Sequence, residues 1–326
     1  MTRQKKGIYT LILILLVLFY VLVFAFNKLG IINSYGISII RLVCINIVLA
    51  VSLNITVGNL GQITLGHAGF MSIGAYTAAL FAKTGVIPGI PGYVVGLLLA
   101  GLFACLVGVL IGIPTLRLKG DYLAIVTLAF GEIIRVLIEY FDFTGGAQGI
   151  AGIPRVQNFG ILFAVMCISV ALMFSIMTSR HGRAVLAIRE NEIAAQSSGI
   201  NVTYYKTFAF ALSAFFAGVA GAMYAHNVGF IGAKDFGYNK SFDILVMVVL
   251  GGMGSFTGAV FSSTVLTIIP EMLRKFAEYR MIVYSLVLIL MMIFRPEGLL
   301  GRKEFSITGL VNSIVNRSQK KRGEKS

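Results

Sequence analysis

The residues able to do chemistry are few, and most stand where water is scarce. Arg41, Glu132, Arg135 and Asp243 fall inside long apolar runs, and a charge at a bilayer centre costs about 2.5–3.5 kcal/mol. Glu132 and Arg135 are three residues apart, so a helix lets them pair. Asp243 lies near the end of its run and has two readings: a group touching water, or one facing a route through the membrane. The three histidines, His67, His181 and His226, show no metal-ligand spacing. The three cysteines, Cys44, Cys105 and Cys167, sit in apolar segments and read as small buried residues rather than a disulfide framework. No GxxxxGK[ST] phosphate-binding loop, GxSxG elbow or pair of acids in a plausible pocket occurs. The residues predict no catalysis, no metal and no cofactor. If ATP drives this protein, another chain must hydrolyse it.

Glycine is more informative. There are 37, and two clusters mix glycine with polar side chains between apolar runs: GNLGQITLGHAG at 58–69 and LGGMGSFTG at 250–258. They share an LGxxG core, at 65–69 and 250–254. Non-helical backbone at membrane depth is tolerated only where protein buries it or water lines it. Broken helices of this kind can turn free backbone N–H groups toward an anionic group. Gln62, Gly66, His67, Gly69, Gly252, Gly254 and Asp243 are therefore candidates for lining a substrate pathway. Tight turns at the membrane face are the other reading of the two clusters.

The elements that must position these residues are apolar helices. Hydrophobic residues make up 57% of the 326 positions and charged residues 12%, half the roughly 25% of a soluble domain. At about 20 residues per span, candidates fall at 8–26, 36–57, 67–83, 92–116, 121–140, 160–178, 207–227, 242–251, 256–273 and 281–294. The first has no small-x-small cleavage site and reads as a retained span rather than a signal peptide. The segment 242–273 has a second reading, as one broken span.

The net charge of +14 is spread along segment ends, without a basic patch interleaved with aromatics, which excludes nucleic acid as a partner. With the N-terminus in the cytoplasm, seventeen of the 27 Lys and Arg fall inside and eight outside, leaving Arg41 and Arg135 within spans. That bias predicts both termini cytoplasmic. The outer loop 141–158 is glycine-rich and reads as an extended connection. The tail 303–326 is basic, with apolar residues at helical spacing. It reads either as an interfacial helix on anionic lipid or as a disordered tail.

The longest polar stretch before that tail, 179–206, contains GRAVLAIRENEIAAQSSGIN at 182–201: a helix, small residues and a glycine stop, a knob suited to a partner's groove. With Ala194-Ala195-x-x-x-Gly199 it resembles the EAA-type coupling loop of ABC importer permeases, although Ile193 stands where the motif's glutamate would be and Glu192 lies one position early. The stretches LNITVGNLGQITLGHAGFMSIGAYTAAL (53–80), LRLKGDYLAIVTLAFGEIIR (116–135) and LVMVVLGGMGSFTGAVFSS (245–263) resemble the LivM-type inner-membrane permeases of branched-chain amino-acid ABC importers. The likeness covers most of residues 36–300.

The resemblance implies an all-α polytopic membrane protein of the ABC importer permease fold, with about ten transmembrane helices and glycine-rich breaks. It implies a transmembrane permease domain at 1–302 with a coupling loop at 180–206. It also implies a bacterial or archaeal cytoplasmic membrane, a second homologous permease subunit, two ATP-binding subunits and an extracytoplasmic substrate-binding protein. The substrate would be a branched-chain or similar small hydrophobic amino acid, although relatives also move urea or short amides. For such zwitterions a lining of mostly small, apolar groups with few fixed charges is expected.

In that frame a short helix runs over 189–199. Ala194 and Ala195 remove bulk against the ATPase, Gly199 ends the helix in a left-handed turn, and Arg189, Glu190 and Glu192 make rim contacts. A stand-alone secondary transporter explains the spans equally well but leaves 180–206 without a purpose.

Overall fold

The structure is a computed structural model that describes residues 33–118, 120–156 and 158–272, together with 285, 286, 289, 293 and 298. The expected span at 8–26 and the tail at 303–326 lie outside these, as does all but four positions of the span at 281–294. Residues 38–302 form one compact unit; 1–37 and 303–326 form a second, of which only 33–37 are described.

Each of the eight expected spans that fall among the described residues is a helix. In chain order α1 is Ser34–Asn54, continued by a π-helical turn at Ile55–Asn59. Then follow α2 (His67–Thr84), α3 (Gly89–Thr115), α4 (Asp121–Tyr140) and α5 (Phe159–Thr178). The polar stretch supplies α6 (Arg180–Glu190) and α7 (Glu192–Ser197), before the long α8 (Val202–Val228). Two shorter helices close the series, α9 (Tyr238–Gly251) and α10 (Phe256–Met272). Among the described residues, four segments, 35–59, 89–115, 159–178 and 202–228, are long and apolar enough to cross a bilayer on their own. Within the segment 242–273 lie two helices joined by a sharp turn.

The architecture is helical with one addition the sequence did not announce. The outer loop is not simply extended: two 3-10 turns lead to β1 (Ile150–Ala151), which pairs antiparallel with β2 (Phe230–Ile231) just past α8. His226 Nδ1 lies 2.8 Å from the Pro154 carbonyl, and Val156 N donates to the His226 carbonyl. These bonds fasten the 141–158 loop to the end of α8.

The long α8 is the centre of the bundle, packed between α2 and α3. Apolar side chains gain nothing by leaving lipid for one another, so close backbone packing has to hold such helices together. Small residues along α8 permit it. A methyl group at Gly218 would stand 2.6 Å from the Ala100 carbonyl of α3, and one at Gly74 of α2 would overlap the Gly218 backbone. Gly221 meets the Met71 carbonyl in the same way. Above this seam the Phe70 and Phe210 rings pack edge to face at 5.4 Å. On the far side, α3 presents Val94, Leu98, Leu102, Leu106 and Leu110, four residues apart and exposed. Only lipid or another apolar helix can solvate that stripe.

Replacing Gly218 with leucine should force α8 away from α3. Overpacking of this kind costs about 1–3 kcal/mol, so the variant's thermal unfolding midpoint in detergent should fall by several degrees. An unchanged midpoint would contradict the packing described.

Candidate functional site

The two glycine clusters meet. The π-turn at the end of α1 and the turn between α9 and α10 lie against each other so closely that any side chain at Gly58 would overlap the Gly254 backbone. Asn54 stitches them: its Nδ2 donates to the Ser255 carbonyl at 3.1 Å, and its Oδ1 accepts from Gly254 N at 2.9 Å. The turn needs glycine, because Gly252 and Gly254 have φ of 104° and 96°, conformations that side-chain-bearing residues rarely adopt. The turn is partly buried: Gly252 and Ser255 are buried and Gly254 half-buried, while Met253 at its tip is 43% exposed.

Into this junction comes Arg189. Its Nη1 donates to the Gly58 carbonyl at 2.6 Å, and its stem covers Gly61. A methyl group at Gly254 would stand 2.9 Å from the same nitrogen. One guanidinium therefore touches both broken segments. The expectation that Arg189 lies on an outer rim is corrected: it faces its own chain.

The helix expected over 189–199 is corrected too. Asn191 interrupts it with an extended backbone, so Arg189 and Glu190 end α6 and a separate α7 begins at Glu192. The break has a local cause: the Asn191 side chain caps α7 by accepting from Ala194 N at 3.0 Å. Gly199, with φ of 81°, supplies the left-handed stop, and Ile200 N returns to the Ala195 carbonyl, closing the helix as a Schellman-type cap. The alanine pair divides. Ala195 is 4% exposed and packs inward, whereas Ala194 and its neighbour Ile193, 77% exposed, face out. Glu192 meets Lys206 of α8 at 3.0 Å, with its own side chain 36% exposed. Glu190 alone of the three expected rim charges is exposed without such a tie.

The remaining pathway candidates do not gather in one place. Gly66 and Gly69 are where α2 touches α4, against the Thr127 carbonyl and Gly131. His67 is 3% exposed, with Nε2 2.8 Å from Ser52 Oγ. Gln62 Oε1 is buried without a hydrogen-bond partner. Asp243 stands apart from both clusters.

Asp243 instead lines a cavity of about 390 Å³ with Glu132, Arg135, Lys234, Asp235 and Lys240, among others. The expected Glu132–Arg135 pair is present at 2.7 Å, and Glu139 joins it at 3.0 Å. The other Glu132 oxygen accepts from Tyr238 N at the start of α9. One side of this start is tied to the bundle while Tyr238 and Asn239 are exposed: Lys240 Nζ reaches Asn46 Oδ1 at 3.4 Å, about half-way along α1, and Ser241 Oγ accepts from Ala68 N. The lining of this cavity is densely charged.

Sequence reasoning missed Asn46, Asn54, Glu139 and Lys240. The asparagines carried a usable signal, being amides within an otherwise apolar run.

An apolar-faced helical bundle with partly buried helix breaks is a polytopic membrane protein. Residues 35–294 match the family described as branched-chain amino acid transport system, permease component, and the chain belongs to that family. It is 37% identical to the high-affinity branched-chain amino acid transport system permease protein LivM of Salmonella typhimurium and to that of Escherichia coli K12. Each alignment covers 70% of this chain and 61% of the relative. The match thus spans less than two thirds of those relatives' length. The LivH permease protein of Escherichia coli K12 is 33% identical over 41% of this chain and 44% of its own. No solved structure matches the chain.

Replacing Arg189 with methionine keeps the stem and removes the donor. A hydrogen bond to a charged group contributes about 1.5–3 kcal/mol, so amide exchange at Gly254 should accelerate about tenfold or more. Unchanged protection at 252–255 would show that Arg189 does not hold the junction.

Proposed function

We propose that this chain is a permease subunit of an ATP-driven ABC importer that moves branched-chain or similar small hydrophobic amino acids across the inner membrane. Family membership and the LivM and LivH relatives support the substrate class. The same pair of relatives supports assembly with a second, homologous permease subunit. Two ATP-binding subunits and an extracytoplasmic binding protein complete the reading, in which this chain hydrolyses nothing.

The observation that carries it is the path from α7 through α6 to the junction. The outward face of α7, Ile193, Ala194, Gln196 and Ser197, is the surface offered to an ATPase cleft. Apolar Ile193 is its anchor, in the place where the family motif has a glutamate. Its inward face is fixed: Ala195 packs on the protein, Glu192 holds Lys206, and Arg189 grips Gly58 beside Gly254. A push on α7 therefore reaches both broken segments through one rigid elbow. ATP energy arrives by contact, which suits a chain without a phosphate-binding loop.

The topology proposed is ten spans with both termini cytoplasmic. Arg189, Gly58, Gly61 and Gly254, all assigned to the cytoplasmic side by the basic-residue count, come together at one end of the bundle. The segments around 150–156 and 226–231, assigned outside, come together elsewhere. Alternating spans produce that sorting.

Two experiments test the reading. Replacing the exposed Ile193 with aspartate should release the ATPase on co-purification or cut amino-acid uptake at least tenfold, while membrane insertion survives. Normal uptake with the ATPase still bound would remove α7 as the coupling element. In a background without the native cysteines, Ser197→Cys and Gln148→Cys should react with an impermeant thiol reagent from opposite faces. Labelling of Ser197→Cys from outside intact cells would reverse the orientation.

A further inference from the structure

We infer that the end of the bundle where α5 passes into α6 and α8 begins binds the headgroup of an anionic phospholipid, the phosphate held between Arg180 and Arg183 with Tyr204 nearby at the bilayer surface. This rests on the cytoplasmic placement proposed above for 179–206, and it gives the elbow an attachment to the membrane itself.

The position follows from the helices. Segments 159–178 and 202–228 are each long and apolar enough to cross a bilayer, so residues just past Thr178 and just inside Val202 stand at headgroup level. The structure brings the two places together. The His181 ring of α6 is centred 6.0 Å from that of Tyr205 and 5.8 Å from that of Phe208, both of α8. Tyr204 stands 5.1 Å from Tyr205 and stacks on Phe208 at 6.4 Å. It is 55% exposed, an aromatic body with a polar tip, the kind of side chain that settles where acyl chains meet water.

The charge here is one-sided. Arg180, His181 and Arg183 are all exposed, and no acid occurs at 179–189 or 193–210. The acid of α6, Glu190, is at its far end, about 15 Å along the axis from Arg180. Lys206 and Glu192 answer each other. Among the described residues, Arg180 and Arg183 have no ion pair. Three residues apart on a helix, they repel. Arg180 also opens α6, whose first turn has no acidic residue and whose dipole already makes that end positive. An anion between the two guanidiniums relieves each of these costs. Arg183 Nη1 donates to the Thr178 carbonyl at 3.2 Å, which keeps its guanidinium at the end of α5 and leaves its remaining N–H donors for a ligand.

Two features select a lipid over a dissolved phosphate. The patch is at the bilayer surface, where anionic headgroups are concentrated. It is also flanked by exposed Tyr204 and by Leu186, one turn on from Arg183 and 37% exposed, which a small ion cannot use and a lipid can. Each basic side chain near an anionic leaflet raises affinity about fivefold, so two arginines together raise it about twentyfold. The lipid seats the first turn of α6, whose last turn carries Arg189 to the Gly58 carbonyl. The elbow is thereby braced against the membrane.

The test reconstitutes the complete importer in phosphatidylcholine liposomes containing a trace of phosphatidylglycerol with a photoactivatable group near its headgroup. After illumination, peptides from 179–208 should carry the adduct, and Arg180→Gln/Arg183→Gln should carry about twentyfold less. The same group on phosphatidylcholine should give only the low level of the double variant, and added inorganic phosphate should leave the labelling unchanged. If the double variant does not assemble, Arg180→Gln, whose side chain makes no hydrogen bond among the described residues, decides with a loss of about fivefold. Wild-type labelling of the variant would overturn the lipid site, including the case in which the variant loses an ATPase subunit instead. Equal labelling by phosphatidylcholine, or loss of the adduct to inorganic phosphate, would overturn it too. The liposomes hold the lipid in both leaflets, so this readout is independent of which way the chain faces, which the Ser197→Cys labelling decides by itself.

Discussion

Backbone that leaves the helical path inside an apolar slab must find its hydrogen bonds within the protein, because lipid offers none. The rest of this molecule is arranged around meeting that demand at two places. Where α1 loosens into a π-turn and where α9 doubles back into α10, the chain exposes peptide groups that Asn54 and Arg189 satisfy. Each defect covers the other. The glycines that permit the turns also let the two backbones touch, so the polar side chains need reach only one step to serve both.

That economy explains why the amphipathic elbow of α6 and α7 belongs with the bundle rather than hanging from it. A loop that merely joined α5 to α8 would have no reason to send a guanidinium to a carbonyl of α1. Here the arginine, the Glu192–Lys206 ion pair and the buried Ala195 fix three points, so the elbow is fastened to the bundle. The bundle itself is held by the Gly74, Gly218 and Gly221 seam, where backbone meets backbone with no long side chains to absorb a displacement.

How much of this was readable in the residues depends on the range of the interaction. Helices are local, and apolar runs marked a helix at each of the eight expected positions that fall among the described residues. The glycine clusters marked both breaks, and three-residue spacing gave the Glu132–Arg135 pair. What was not readable is direction. Composition treats Ala194 and Ala195 alike, yet one faces out and the other in, because Asn191 resets the helix phase by capping it. Arg189 looked like a surface charge since its acceptor lies 131 residues away in the chain. The place at which α9 starts is likewise non-local, set by Lys240 and Ser241 meeting α1 and α2, and so the charged cavity could not be foreseen from Asp243 alone.

The brevity of α9 places a demand on its ends. Its 14 residues rise about 21 Å at 1.5 Å each, against a hydrocarbon core of about 30 Å. A helix of that length ends short of one face of such a core, so one of its ends must find its hydrogen bonds within the protein, as the Tyr238 amide does at Glu132.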